Sequence, residues 1–87
     1  MPYRILYNDD VTRRIIPSLP SRDKEIIRRA IDERLTFDPV NLGKPLQHNL
    51  KGYKSLRIGN WRVIYRLEGE NVIICDIVDR RDAYKKW

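Results

Sequence analysis

The chain has 87 residues, 41% apolar and 34% charged, with four Gly and five Pro; this is the composition of one small globular domain over 1–87, and it excludes collagen and wholesale disorder. A chain this short buries only roughly 60–65% of its unfolded surface, which leaves little room for an internal cavity, so any chemistry is expected on an open surface. Eighteen Lys and Arg against twelve Asp and Glu give a net charge of +6, and a single cysteine, Cys75, excludes an intrachain disulfide or a thiolate metal cluster.

The opening Tyr3-Arg4-Ile5-Leu6-Tyr7 is β-prone and bounded by Asn8-Asp9-Asp10, a cluster suited to a helix N-cap and an acidic first turn. A strand and then a helix are predicted, with Val11, Ile15 and Ile16 as a narrow apolar stripe and Pro17 with Pro20 as its close. Ser21 is placed to cap a second helix, in which Ile27, Ile31 and Leu35 recur every four residues beside Ile26 and Ala30. Beyond Asp38-Pro39 the period changes from about 3.6 to 2. Residues 39–52 read as a loop with little structure of its own. Three β-like runs follow: Tyr53 to Ile58, Trp61 to Leu67 and Val72 to Val78. Gly59-Asn60 supplies a two-residue connection and Glu68-Gly69-Glu70-Asn71 a longer one, so an antiparallel meander is expected, with the doubly apolar last run inside the sheet. The fold class is α+β: an N-terminal strand, an antiparallel helical hairpin and a three-stranded meander, with the helices packed on one face of the sheet. No apolar run approaches the roughly 18 residues of a membrane helix, and Met1-Pro2-Tyr3-Arg4 leads into strand-like sequence rather than a secretory leader. A cytoplasmic protein without a membrane partner is the expectation.

The positive charge is concentrated in the second half. No acidic residue lies between Asp38 and Glu68, while Lys44, Lys51, Lys54, Arg57, Arg62 and Arg66 fall there, and Arg80, Arg81, Lys85 and Lys86 follow against Asp82 alone. That half should face a polyanion, with nucleic acid as the first candidate and an acidic protein as the second. If Gly59 and Asn60 form a two-residue loop, Ile58 pairs with Trp61, Arg57 with Arg62 and Leu56 with Val63. One face then carries Leu56, Ile58, Trp61, Val63, Tyr65 and Leu67 toward the helices, and the other carries Arg57 opposite Arg62 with Ser55 and Arg66 nearby. Like charges facing one another across strands are unfavourable, so the pair points either to an absent anion or to arginines splayed on a solvated face.

Two readings of Tyr84 also stand side by side, an aromatic that pins the tail and a phenol able to exchange a proton beside a cationic surface. His48, alone in a loop, reads as solvated surface before it reads as a catalyst. Cys75 lies in the most apolar run and is expected in the core, as an inert thiol. Trp61 is expected as a hairpin or core aromatic, and neither Gly43 nor Gly52 belongs to a phosphate-loop pattern.

Taken together, Lys44-Pro45-Leu46, Leu50-Lys51-Gly52-Tyr53, the run from Leu56-Arg57-Ile58-Gly59-Asn60 to Trp61-Arg62-Val63-Ile64-Tyr65, and Asp79-Arg80-Arg81-Asp82-Ala83-Tyr84 resemble the RelE/ParE superfamily of bacterial and archaeal toxins. The order of elements agrees with that family along the whole chain, and the Arg-x-x-x-Tyr tail resembles its RelE branch. The resemblance implies a type II toxin that enters the ribosomal A site and cleaves messenger RNA, without a metal or cofactor. It also implies a small antitoxin, acidic or partly disordered, that neutralises the toxin in a hetero-oligomer. Residue by residue, it implies that Arg62 stabilises the transition state, that Arg80 lies near the leaving oxygen and that Tyr84 is the base. Arg57 resembles a basic residue of the strand before the hairpin. A second such position falls at Ser55 in the ungapped match, or at Lys54 if the strand is bulged. Lys51, Lys54, Arg57, Arg81 and Lys85 complete the implied RNA contacts. Two alternatives remain from other classes: a ParE-like toxin that binds DNA gyrase and cuts nothing, and an inactive scaffold for the antitoxin.

Overall fold

In the computed structural model, which describes residues 2–46 and 52–87 with side chains for all of these but 84–86, the short strand β1 (Arg4–Tyr7) opens the fold. A helical stretch over 11–18, α1, follows after Asn8, whose carbonyl accepts from the amides of Val11 and Thr12. Its first part, Val11–Ile15, is a widened turn in which Ile16 N–H reaches the Val11 carbonyl. Widening lets Pro17 sit inside the helix, which runs to Ser18, instead of ending it as the sequence suggests; the proline ring would otherwise press on the carbonyl four residues back. Helix α2 covers 21–35 and begins at Ser21 itself, with Pro20 rather than Ser21 in the cap position. Its stripe is as predicted: Ile27, Ile31 and Leu35 are buried, whereas Ile26 is exposed.

Residues 39–46 are more ordered than a loop. They form the short helix α3 (Pro39–Leu42) and the two-residue strand β2 (Lys44–Pro45), which pairs antiparallel with β3 (Tyr53–Ile58). The sequence alone hides this because what holds the segment is distant. The Tyr65 hydroxyl donates to the Pro39 carbonyl at 2.7 Å, and Gly43 lies so close to that ring that a Cβ there would meet the hydroxyl oxygen at 1.9 Å.

Strands β4 (Trp61–Glu68) and β5 (Asn71–Asp79) complete a five-stranded sheet in the order β1-β5-β4-β3-β2. The meander of β3, β4 and β5 is antiparallel as predicted, while β1 pairs parallel to β5, making the sheet mixed and β5 an interior strand. The second hairpin is tighter than expected: Glu68 pairs with Asn71, and Gly69 takes the positive φ of 58° that a two-residue turn requires. One sheet face packs on α1 and α2 through Leu56, Ile58, Val63, Tyr65, Val72, Ile74 and Ile77 against Val11, Leu19, Ile27, Ile31 and Leu35. Each such side chain contributes roughly 1.5–3 kcal/mol through burial, and Trp61 packs on the margin of this core as expected.

The tail does not simply extend β5. It turns into α4 (Arg80–Lys86), which lies against β4 and β5 on the face opposite the helical hairpin. The predicted helical hairpin packs on one face as expected, and α4, a helix the sequence reading did not include, lies on the other. Among the described residues, no helix is long and apolar enough to cross a membrane.

Candidate active site

Gly59-Asn60 forms the predicted two-residue turn, with Gly59 at φ 59°, and the register follows from it: Ile58 faces Trp61, Arg57 faces Arg62 and Leu56 faces Val63. Strand β3 pairs without a bulge from Tyr53 to Ile58, so strict alternation decides the second basic position. Ser55 shares the face of Arg57 and is buried. Lys54 points to the helix-packed side, where its ammonium donates to the Val40 carbonyl at 3.0 Å. The structure thus does not bring Lys54 together with Arg57 and Arg62.

On the arginine face the three strands place side chains in rows. The row at the hairpin end is Arg57, Arg62 and Val78; the next is Ser55, Ile64 and Asp76; the third is Tyr53, Arg66 and Ile73. Arg66 pairs with Glu68 and is partly neutralised. Among the described residues, Arg57 and Arg62 have only long bonds to neutral groups: Arg57 Nε donates to the Gly59 carbonyl and Arg62 Nη1 to Ser55 Oγ, each at 3.4 Å. Among the described residues no carboxylate lies within ion-pair distance of either. Two cations held opposite one another, about 5 Å apart at Cβ and with no counterion among the described residues, have the geometry that a bridging oxyanion could satisfy.

Helix α4 begins beside this pair. The Arg80 amide donates to the Asn60 carbonyl at 2.9 Å, which ties the start of the helix to the hairpin tip. Asp79 caps it, accepting from Arg81 N–H at 2.7 Å. Arg80 and Arg81 are exposed, and the backbone of Tyr84 follows one turn later in the same helix. The side chains of Tyr84 and Lys85 lie outside the described residues, as do Lys51 and His48 altogether.

Sequence reasoning missed Asp76, a buried carboxylate on this face. Its cause is a bulge in β5: Ile64 pairs with Asp76 but Tyr65 with Ile74, leaving Cys75 as the extra residue. Without the bulge, alternation from Val72 and Ile74 would send Asp76 into the helix-packed core. With it, Asp76 Oδ1 accepts from Ile77 N–H at 2.9 Å and Oδ2 from the Trp87 indole N–H at 3.0 Å. An aspartate in the middle of an apolar strand was the available signal. Cys75 is correspondingly half-buried rather than in the core; burial raises its thiol pKa, partly offset by Arg66. That keeps it a weak nucleophile near neutrality.

The comparisons with known proteins bear on the family and the fold. A family model described as the ParE toxin of the type II toxin-antitoxin system parDE matches residues 12–84. Toxin RelG of Mycobacterium tuberculosis is 32% identical over 88 residues, which cover 99% of this chain and 100% of that protein. The crystal structure of the toxin–antitoxin complex RelBE2 from Mycobacterium tuberculosis contains a chain 30% identical, matched over 92% of this chain and 93% of that one with a TM-score of 0.83. The archaeal RelE–RelB complex from Pyrococcus horikoshii shares the fold, with a TM-score of 0.72 at 23% identity over 92% of this chain and 97% of that one.

Proposed function

The chain belongs to the RelE/ParE superfamily of toxins from type II toxin–antitoxin systems, and from that premise we propose that it is a ribosome-dependent endoribonuclease acting in the cytoplasm. It cuts messenger RNA in the ribosomal A site and so stops translation. The observation that carries this reading is the facing of Arg57 and Arg62 across β3 and β4 without a carboxylate partner among the described residues, at the hairpin tip where Arg80 starts α4.

Such a constellation suits a reaction in which RNA supplies its own nucleophile. The phenolate of Tyr84 takes the proton of the ribose 2′-OH, and the 2′-oxygen attacks the adjacent phosphorus. The bond from phosphorus to the 5′-oxygen breaks, leaving a 2′,3′-cyclic phosphate on one fragment and, once the leaving oxygen gains a proton from water, a 5′-OH on the other. No metal is needed if fixed cations meet the developing charge. Arg62 and Arg57 fit the non-bridging oxygens, where a planar fork matches phosphate better than an ammonium does. Arg80 lies toward the leaving oxygen and stabilises charge there, since a guanidinium is too weak an acid to give up its proton readily. Lys51, Arg81 and Lys85 join Arg57 in holding the RNA backbone. Lys54, on the other face, drops out of this set.

Two of the similar structures are toxin–antitoxin complexes, which supports an antitoxin as the physiological partner, one whose acidic segment covers the arginine row. The deciding experiment is translation in a purified ribosome system, with cleavage mapped on the message. Cuts within the A-site codon are expected, and an intact message with programmed ribosomes present refutes the reading. The ParE description of the matching family model favours a second reading, a toxin that binds DNA gyrase. Inhibition of gyrase supercoiling by the purified protein would establish it, and an inert protein in both assays would leave the antitoxin scaffold.

A further inference from the structure

Helix α4 has seven residues, Arg80–Lys86, well below the roughly 12–15 that make an isolated helix marginally stable in water. Its conformation and place must come from what holds its ends. The first end is held by Asp79 and by the Arg80 bond to Asn60. The other end is held by Trp87, the residue that follows the helix and donates its backbone amide to the Ala83 carbonyl at 3.0 Å. The Trp87 indole N–H reaches Asp76 Oδ2 at 3.0 Å, and its ring meets Tyr53 with centroids 5.6 Å apart and planes tilted by 48°. Asp76 on β5 and Tyr53 on β3 lie on either side of β4, so one indole bridges across that strand.

Asp76 is a firm anchor. It is 3% exposed, and its other oxygen is occupied by Ile77 N–H, which fixes the carboxylate plane relative to the strand. A buried carboxylate that accepts a neutral indole donor forms a charge-assisted bond, stronger than one between two neutral groups. Breaking it removes one of the bonds that hold this buried carboxylate. The bulge at Cys75 turns Asp76 toward this face rather than into the core, and with it Ile77 into the core and Val78 beside the arginines.

We infer that Asp76, Trp87 and Tyr53 form a clamp that positions α4, the helix that Arg80 opens and that carries the backbone of Tyr84, on the arginine face of the sheet. They are positioning residues: they act through the helix and do not touch the reacting atoms. The inference rests on the endoribonuclease reading, because that reading gives the helix something to deliver. Misplacement of a reacting group by about 1 Å costs on the order of a hundredfold in rate while leaving substrate affinity nearly unchanged.

The test uses the full chain. Trp87→Ala removes the clamp, Trp87→Phe keeps a ring for Tyr53 but loses the donor, and Asp76→Asn keeps an acceptor but loses the charge. Single-turnover cleavage is measured on programmed ribosomes over a range of ribosome concentrations, and amide hydrogen exchange is followed in α4 and in β4. Trp87→Ala is expected to lower the maximal rate about 30- to 100-fold with the half-saturating ribosome concentration within threefold of wild type, and to remove protection from α4 while β4 stays protected. The two milder variants should fall between, in the order in which they lose protection. In a Tyr84→Phe background Trp87→Ala should have a smaller effect than in wild type, because the helix then has no base to deliver and only Arg80 remains to be misplaced. Unchanged protection of α4 in Trp87→Ala overturns the clamp. Lost protection with cleavage within threefold of wild type overturns its positioning role. A wild-type protein that cuts nothing overturns the functional reading instead, and with it the reaction that the clamp would serve.

Discussion

Removing the Arg62 guanidinium should separate catalysis from folding. Arg62 is half-buried, faces Arg57 and makes one described hydrogen bond, the 3.4 Å contact to Ser55 Oγ. In Arg62→Ala the repulsion between facing arginines disappears, a gain of a few tenths of a kcal/mol or more. The bond lost is long and weaker than the usual ~0.5–1.5 kcal/mol, and the serine hydroxyl is free to rotate to another acceptor. With some packing of the arginine stem also lost, these terms nearly cancel. Stability should then change by less than about 1 kcal/mol, a shift in Tm of no more than about 4–8 °C for a domain of this size. The catalytic loss is of another order. A preorganised donor aimed at developing charge is worth roughly 10²–10³ in rate, or about 2.7–4 kcal/mol, when removed. Single-turnover cleavage on programmed ribosomes, beside calorimetric melting of the same samples, measures both. Arg62→Lys should recover part of the rate, because the charge returns without the fork. Cleavage by Arg62→Ala within a few-fold of wild type would refute the role assigned to the arginine row, as would a rate loss explained by a collapse in Tm.

Three further outcomes follow from particular contacts. Tyr84→Phe should lower single-turnover cleavage at least about a hundredfold, as loss of a general base does, with Tm unchanged, and should abolish the rise of the rate with pH. Gly43→Ala should lower Tm markedly, because its Cβ would fall 1.9 Å from the Tyr65 hydroxyl, which is buried and bonded to Pro39; a mild shift would mean that α3 and β2 can move away without cost. Burial pushes the Tyr65 phenol up to about 12 from its ordinary 10, with opposition from its contact to Gly43 and a small push from Asp38. The folded state therefore holds its proton longer than the unfolded chain does, and this contribution, complete below pH 10, is lost as pH rises toward 12, by at most about 1.4 kcal/mol per unit. Urea unfolding of Tyr65→Phe across that window should show a shallower loss of stability, the remainder reflecting groups such as Tyr7, whose phenol is also raised by burial. Equal slopes in wild type and variant would contradict this.

Much of the site was legible because it is local. The register of Arg57 against Arg62 follows from two residues, Gly59 and Asn60, since a two-residue turn permits one alignment of the strands it joins. The apolar stripe of α2 and the alternation of β4 are likewise properties of neighbouring residues, so chain order alone predicts which faces meet. The same alternation settles Ser55 against Lys54 once β3 is known to run without a bulge.

The helical hairpin, the antiparallel meander and the paired arginines are dictated by backbone geometry over a few residues, and chain order alone is enough to read them. The remaining features depend on partners far along the chain. Residues 39–46 take their shape from Tyr65, and β1 finds its parallel partner in β5 across nearly the whole chain. The tail becomes a helix over the arginine face because Asp76 and Tyr53 hold Trp87 there. The bulge that aims Asp76 is one residue of slip between β4 and β5, and a slip of one residue reverses every side chain it governs.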